Sequence, residues 1–469
     1  MSRLTPVEKW TYAIGNIPFS VKDAAFVNFV VFYYTQVQGL SGTLTGLAMF
    51  IALSWDAISD PIVGSWSDSF RSRWGRRHPL LVLGGIPTAL LFLALFPPEL
   101  QLGQTGLFLW LVIVSIMLRT FLTIYFIPYS AMGAELSTDY DERTVIAKAR
   151  VTMGWFAAML MAAGALTFIF QGDGDSDGRL IASNYTVYGV VSALVAGLTA
   201  LCCIFGTRSV IPRLPVADKN APHFSLRNTL QDFKDAVKNY NFRVTIAASL
   251  AFGMSAGIYT TISLYMGTYF WEFSADQLAA MVVPTAIGTL LAFSALNTLG
   301  KRFDKPQLMQ AAALILAVNS AWMVLGRLLG LLPENGHMLL FVLQLITTLV
   351  AVFVIVMLQV LSASLTADIL DEQELENGKR QEGVFFAANA FIGKATTGLG
   401  ALVAGIIVDL AGIEAGSEPG TVAREALSSL GWMSMILIFV LPLIAFVSFR
   451  RVRLSRADHA RIREQLLQA

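Results

Sequence analysis

The chain has 469 residues, of which 55% are hydrophobic and only 14% are charged, and its formal net charge is +1. Soluble domains carry about 25% charged residues, so the composition excludes an ordinary soluble protein, and the near-zero charge gives no field that would attract nucleic acid. Cys202 and Cys203 are adjacent and no Cys or His spacing typical of a metal site occurs, so neither a disulfide framework nor a cofactor is expected.

Apolar runs long enough to cross a bilayer recur along the chain and predict twelve spanning helices. The first run is too long for the apolar core of a signal peptide and is predicted to be an uncleaved helix. The predicted spans lie near 10–37, 42–66, 79–98, 106–132, 148–171, 184–207, 244–271, 277–299, 308–330, 337–365, 385–412 and 426–449.

The distribution of basic residues gives an orientation. If the N-terminus is cytoplasmic, most of the 33 Lys and Arg lie in cytoplasmic segments. The loops on the opposite side of the membrane then hold only Arg179 and Arg424. Basic loops stay in the cytoplasm. We therefore predict a multi-pass protein of the plasma (inner) membrane, with both termini cytoplasmic, that contacts lipid and is a monomer.

One long polar segment separates two halves of the chain. Residues 1–207 and 244–449 each contain six predicted spans, residues 208–243 form a linker, and residues 450–469 form a basic cytoplasmic tail. After Ser225, apolar residues at helical spacing predict an amphipathic helix on the membrane surface, with a plain linker as the alternative. These apolar residues are Leu226, Leu230, Phe233, Val237 and Tyr240.

Two aspartates lie inside the second predicted span. Asp56 and Asp60 are four residues apart and therefore lie on one helical face. An ionised carboxylate at bilayer depth costs roughly 2.5–3.5 kcal/mol, which favours a functional reason for keeping two of them. We predict that they bind a coupling cation, either a proton or sodium. The alternatives are a structural pair of hydrogen-bonded acids or a pairing with Lys394, either static or displaced by the cation.

A second group of intramembrane charges lies in the N-terminal half. Lys22, Asp23, Arg119 and Arg150 contain more positive than negative charge, which favours a substrate with a carboxylate or phosphate group. Each of these residues has an alternative role. Arg119 could pair with Asp23 or reach the membrane surface, and Arg150 could be a gate residue. Lys22 and Asp23 are neighbours and cannot share one helical face, so one of them could be structural. Aromatic residues that face a cavity can stack on a sugar ring, and Tyr129 and Trp155 are candidates for this role. The alternative is that they pack in the helix bundle, as most aromatic residues of membrane proteins do.

The loop after the second span carries a recognisable motif. It runs from Gly64 through Asp68 to Arg76 and Arg77, and a weaker copy occurs at 300–305. The motif resembles the loop signature of the major facilitator superfamily, which implies an all-α membrane fold of two six-helix bundles. The resemblance implies structural and gating roles for Asp68, Arg76 and Arg77.

Three further stretches narrow the resemblance. They are Trp55–Pro61, Ile127–Met132 continuing to Arg150, and Ala367–Asp371 followed by Arg380 and Lys394. Together they resemble the glycoside–pentoside–hexuronide:cation symporters, the melibiose-permease group. The resemblance implies cation binding at Asp56 and Asp60, a coupling role for Lys394, and a sugar-site role for Arg150. We also expect Asp368 and Arg380 to be gating or structural residues.

The chain departs from that family at three positions. Ser20 and Phe126 stand where the family has sugar-site aspartates, and Ser130 stands where it has an aromatic residue. Melibiose is therefore not the expected substrate, and proton coupling is as compatible with the sequence as sodium coupling. We expect a symporter of a small polar solute, glycoside-like or anionic such as a hexuronide. The alternative is a transporter of the same fold that moves a lysophospholipid or another amphiphile. A non-transporting membrane sensor is the last alternative, and an enzyme is not expected.

Overall fold

The computed structural model describes residues 4–137, 139–174, 176–214, 237–377 and 382–468, and within these ranges it contains helices and turns but no strand. Short π-helical turns occur at Tyr33–Val37, Ala165–Ile169 and Met266–Phe270, and a 3-10 helix spans Arg208–Arg213. The helices are α1 (Pro6–Ile14), α2 (Ile17–Asn28), α3 (Val30–Phe32), α4 (Gly42–Ser69), α5 (His78–Leu95), α6 (Gln104–Glu135), α7 (Tyr140–Gly164), α8 (Ala182–Gly206), α9 (Tyr240–Tyr265), α10 (Ala275–Ala279), α11 (Val282–Arg302), α12 (Lys305–Leu328), α13 (Met338–Asn377), α14 (Glu382–Ala411), α15 (Arg424–Phe449) and α16 (Arg456–Gln468).

The predicted all-α membrane fold is confirmed. In the described part of the chain, 11 helices are long and apolar enough to cross a membrane, and each coincides with a predicted span. The remaining predicted span, 10–37, is divided among α1, α2, α3 and the turn Tyr33–Val37. The division has a local cause, because Gly15 fits closely against the Tyr129 ring and Cys203, and Pro18 lies in the first turn of α2.

The chain forms two compact units. The first comprises Met1–Phe224 with Glu414–Thr421, and the second comprises Ser225–Ile413 with Val422–Ala469. In the first unit, α4 and α5 both pack against α6, and the interior contains the stacked rings of Tyr12, Tyr125 and Tyr129. In the second unit, α9 packs against α14 and α15, and α12 packs against α13 and α15. The contact between α4 and α6 positions the candidate site.

The predicted amphipathic helix lies mostly in 215–236, outside the described residues. The described part corrects its predicted end. Tyr240 is the first residue of the spanning helix α9, because Asn239 caps that helix and accepts a hydrogen bond from the Phe242 amide at 2.9 Å. The side-chain periodicity could not detect this boundary, because Tyr240 continues the apolar pattern of the linker.

The basic tail contains a helix, α16, that is bound to the second unit. His459 Nε2 lies 3.0 Å from Asp371 Oδ2 on α13. The Arg456 guanidinium donates to the main-chain oxygens of Gly300, Lys301 and Phe303, where α11 ends. These contacts satisfy carbonyl groups that a helix end leaves without an intrahelical partner.

Candidate functional site

A buried ion pair joins α4 and α6. Arg119 Nη1 donates to Asp56 Oδ2 at 2.5 Å, and the two residues are only 4% and 7% exposed. The guanidinium carbon of Arg119 also lies 4.5 Å from the centre of the Phe26 ring. A charge-assisted hydrogen bond and an aromatic face therefore hold the same arginine, which fixes its position more tightly than either contact would alone.

Asp60 lies one turn after Asp56 and faces the same helix. Its Oδ1 accepts a hydrogen bond from Thr123 Oγ1 on α6 at 3.0 Å. The spacing of four residues thus brings both carboxylates to the interface between α4 and α6, as the helical repeat predicts. Thr123 was not identified from the sequence, although its spacing of four from Arg119 places it on the same face of α6.

The ion pair leaves two of its own polar atoms unused. Asp56 Oδ1 and Arg119 Nε are buried without a hydrogen-bond partner among the described residues. Most buried polar atoms have a hydrogen-bond partner, so an unpartnered carboxylate oxygen at this interface is a candidate ligand for a proton or a cation.

Arg119 thus contacts Asp56, and Asp23 has a different partner. Lys22 Nζ forms an ion pair with its neighbour Asp23, and it also lies 4.2 Å from the centre of the Phe19 ring. Adjacent residues leave a helix in different directions, but the long lysine side chain bends back to the carboxylate. The surplus of positive charge inferred from the sequence is correspondingly smaller, because Arg119 and Lys22 both have acidic partners.

Aromatic packing occupies the position where the family has an acid on this helix. The Phe126 ring on α6 stacks on the Phe19 ring of α2 at a centroid distance of 4.2 Å. Lys22 Nζ lies over the Phe19 ring, the other member of this stack. Phe126 therefore presents an apolar surface where the family has a hydrogen-bonding group.

Arg150 lies in a small cavity of about 230 Å³ in the first unit. Its Nη1 donates to Ser130 Oγ at 2.7 Å, so the serine that replaces the family's aromatic residue contacts the arginine directly. Among the described residues, Arg150 has no carboxylate within salt-bridge distance. The cavity is lined by Tyr12, Ser130, Gly133, Ala134, Arg143, Ile146, Ala147 and Arg150.

The two aromatic candidates differ in their surroundings. Tyr129 is 0% exposed, its ring stacks on Tyr12 at 4.7 Å, and its hydroxyl donates to the Tyr12 carbonyl at 2.8 Å. This geometry supports the packing alternative for Tyr129. Trp155 on α7 is 47% exposed, so its ring remains accessible to a ligand or to lipid.

The loop motif after α4 forms a compact ionic network. Arg77 Nη2 lies 2.8 Å from Asp68 Oδ1 and 2.5 Å from Glu135 Oε1 at the end of α6. Arg76 Nη2 contacts the same Glu135 oxygen at 2.7 Å. Arg77 Nη1 also donates to Ser67 Oγ at 2.5 Å. The motif therefore connects the end of α4 to the end of α6. Glu135 was not predicted from the sequence, because no local pattern connects it with residues 68–77.

The candidates of the second unit lie on α13 and α14. Asp368 Oδ2 pairs with Lys305 Nζ at 2.5 Å, and Asp368 Oδ1 is 3.6 Å from His459 Nε2, a partner that the sequence did not reveal. Arg380 lies outside the described residues. Lys394 is half-buried on α14, and its pairing with an aspartate of α4 stays a prediction. In the described ranges, no group of three or more His, Cys, Asp or Glu is arranged to hold a metal ion.

Comparison with known proteins gives matches over almost the whole chain. Residues 11–456 match the family described as MFS/sugar transport protein. The inner membrane symporter YicJ of Escherichia coli is 23% identical over 476 residues, which cover 99% of this chain and 95% of that protein. A sodium-dependent lysophosphatidylcholine symporter of Gallus gallus is 30% identical over 154 residues, which cover 32% of this chain and 28% of that protein.

A solved structure shares the fold at low sequence identity. The xylose transporter XylE from E. coli superposes with a TM-score of 0.59 at 13% identity, covering 96% of this chain and 98% of that one. The family match, the helical architecture and the loop motif agree, and they confirm the resemblance drawn from the sequence. The chain belongs to the MFS/sugar transport family, within the glycoside–pentoside–hexuronide:cation symporters, a family of multi-pass membrane transporters and not of enzymes.

Proposed function

We propose that this protein is a cation-coupled secondary active symporter that moves a small polar, glycoside-like solute by alternating access. The observation that carries the proposal is the carboxylate pair Asp56 and Asp60 between two spanning helices, where Arg119 donates to Asp56 and Thr123 donates to Asp60. Carboxylates inside a membrane-spanning bundle are costly and mark ion and proton pathways, so this pair is suited to load and release a monovalent cation. The coupling ion is a proton or sodium.

The solute site that we propose lies in the first unit near Arg150. The arginine has a hydrogen-bonding neighbour in Ser130 and lies in a cavity, while Lys22 and Asp23 supply a second polar group on α2. In the part of the chain that the structure describes, Arg150 has no acidic partner, which favours a solute with a carboxylate because the guanidinium matches the geometry of that group. A hexuronide is therefore the first solute class to test, and neutral glycosides are the second.

The test is uptake into proteoliposomes with imposed pH and sodium gradients. One charge that crosses about 100 mV supplies about 2.3 kcal/mol, enough for a roughly fiftyfold concentration of the solute. Asp60→Asn keeps the size and the hydrogen-bonding capacity of the side chain but removes its charge. We expect this variant to lose concentrative uptake and to retain exchange of solute across the membrane at equilibrium, because exchange needs no net movement of the ion.

The matched control is Asp458→Asn, which removes a carboxylate from the tail helix α16. We expect its accumulation ratio to equal that of the wild type. The proposal is contradicted if Asp60→Asn concentrates the solute as well as the control does. Asp56→Asn is less informative, because it would leave Arg119 as a buried charge without its acidic partner and so affect folding.

A second candidate cargo is an amphiphile with an anionic head. Two observations favour it: the Phe19–Phe126 stack replaces polar groups beside Lys22, and the Gallus gallus relative is a lysophosphatidylcholine symporter. The same vesicles distinguish the cargoes. Uptake of a labelled glucuronide that unlabelled methyl glycosides inhibit and lysophosphatidylcholine does not would support the sugar-like solute, and the opposite pattern would support the amphiphile.

A further inference from the structure

We infer that Arg143 is a second anion-binding residue of the proposed solute site, and that Arg143 and Arg150 together make this site selective for a sugar-sized dianion with a negative group at each end. The inference rests on the proposed function, because it uses the solute site near Arg150. It narrows the solute from one carboxylate to two. Arg143 was not identified as a site residue from the sequence.

The arrangement of the cavity is the first support. The α7 residues that line it recur every three or four positions and therefore share one helical face, which consists of Arg143, Ile146, Ala147 and Arg150. The α7 wall of the cavity thus carries an arginine at each end, and their separation in sequence corresponds to about 10 Å along a helix axis. The α6 residues that line the cavity are small and leave room for a ligand; they are Ser130, Gly133 and Ala134.

Different contacts hold the two guanidinium groups. Arg150 Nη1 donates to Ser130 Oγ at 2.7 Å, whereas Arg143 Nε donates to the main-chain oxygen of Ser137 at 2.6 Å, just beyond the end of α6. Among the described residues, the two Nη groups of Arg143 have no hydrogen-bond partner. The arginines are therefore anchored at separate points, and they present donors for two anionic groups.

Neither arginine has an acidic partner in the described part of the chain. The residues that line the cavity include no Asp or Glu. Glu142, the acid next to Arg143 in the chain, is 8% exposed and is bound by Lys9 Nζ at 2.7 Å and by Ser137 Oγ at 2.7 Å. A guanidinium offers a planar fork of donors that matches a carboxylate. Two guanidinium groups without acidic partners therefore favour a ligand with two anionic groups.

The cavity volume limits the size of this ligand. About 230 Å³ is less than the roughly 300–1,000 Å³ of sites that hold drug-sized molecules, so we expect a ligand of monosaccharide size. Arg143 itself is exposed, so a ligand can enter at the end of the cavity that this residue lines. An open-chain sugar acid with a carboxylate at both ends combines the required size with two negative groups.

The experiment compares two sugar acids that differ at one end of the same carbon chain. D-Glucarate carries a carboxylate at both ends, whereas D-gluconate carries a carboxylate at one end and a hydroxyl at the other. Equilibrium binding of each radioactive acid to the purified full-length protein in lipid nanodiscs is measured at neutral pH. We expect the wild type to bind glucarate at least about tenfold more tightly than gluconate, which corresponds to about 1.4 kcal/mol. Arg143→Gln should bind both acids with similar affinity, because one guanidinium remains for one carboxylate.

Three further variants separate ligand binding from effects on structure. Lys148→Gln removes an exposed positive charge from the same helix, at a position that does not line the cavity, and it should bind both acids as the wild type does. Arg143→Lys keeps a positive charge and should keep the preference for glucarate. Arg150→Gln should abolish the preference, because it also leaves one guanidinium.

The inference is overturned if the wild type shows no saturable binding of glucarate or binds gluconate equally well. Retention of the preference by a folded Arg143→Gln protein would overturn it too. These outcomes leave symport intact, because the binding measurement uses no gradient. Concentrative uptake of a neutral glycoside by a protein that does not prefer glucarate would confirm the proposed function and overturn the dianion site. Preferential binding of glucarate without gradient-driven uptake of any tested solute would confirm the dianion site and remove the proposed coupling.

Discussion

Glu135 illustrates how a single side chain can hold two helix ends together. One of its oxygens accepts from both Arg76 and Arg77, and Arg77 reaches back to Asp68 at the end of α4. Arg77 and Glu135 are largely buried, with side chains 3% and 13% exposed. Removal of one member of a buried ionic group leaves the others uncompensated, so this network depends on all of its members.

We therefore expect Glu135→Ala to lower the free energy of unfolding by about 3 kcal/mol, within the range of about 3–5 kcal/mol for a broken buried ion pair. Thermal unfolding of the purified protein measures the change. The control is Glu464→Ala on the exposed side of α16, which should change the stability by less than about 0.5 kcal/mol. Equal melting temperatures for the two variants would show that the network contributes nothing.

The sequence identified residues of the site better than it identified their partners. Asp56 and Asp60 were recognisable because acids are costly in an apolar run, and their common face follows from the helical repeat. The partner of Asp56 was not recognisable, because Arg119 lies 63 residues away and only packing of α4 on α6 brings them together. Local spacing reports which face a residue lies on but not which helix covers that face.

At the scale of helices, close packing of α5 on α6 depends on one glycine. A Cβ atom at Gly84 would lie 2.4 Å from the Tyr125 amide nitrogen and 2.5 Å from the Phe121 carbonyl oxygen. Both are backbone atoms, so they cannot move unless the helices separate. Small residues at such crossings allow the backbones of membrane helices to approach closely, which is the main source of attraction between them.

Gly84→Ala should consequently destabilise the protein by about 1–3 kcal/mol, the usual cost of overpacking. The matched control is Gly164→Ala at the end of α7, where an added Cβ meets no atom within 4 Å. We expect this control to be neutral or to stabilise by up to about 1 kcal/mol, because alanine loses less backbone entropy than glycine. Thermal unfolding of both variants in the same detergent tests the pair, and a control that is the less stable of the two would contradict the argument.

The lengths of helices were predicted well where composition alone determines them. The predicted span 42–66 corresponds to α4, Gly42–Ser69, because an apolar run and the Ser41 cap mark its start. The predicted span 337–365 stops well before the end of α13 at Asn377. Its last three turns are rich in acids, and hydropathy cannot show that Lys305 pairs with Asp368 and that His459 contacts Asp371.

For the whole molecule, we propose that both termini face the cytoplasm of a cell whose inner membrane contains the protein. The basis is the excess of Lys and Arg in alternate loops. Family membership and the 11 membrane-length helices among the described residues establish a multi-pass protein, and the charge bias supplies the direction of insertion.

Cysteine labelling tests this orientation. Starting from a Cys202→Ser background, Gln101→Cys lies in the exposed loop between α5 and α6, and Glu464→Cys lies on the tail helix. A membrane-impermeant maleimide added to right-side-out vesicles should label Gln101→Cys alone, and permeabilisation should make Glu464→Cys equally reactive. Labelling of the tail in intact vesicles would reverse the proposed orientation.

The tail helix α16 has a practical consequence for anyone who shortens this chain. Arg456 is the group that covers the main-chain oxygens at the end of α11, and His459 lies against both Asp368 and Asp371. A protein trimmed after the last spanning helix would expose those oxygens and deprive two acids of a neighbour. Purification tags and reporter fusions therefore belong beyond Gln468, with the final helix left in place.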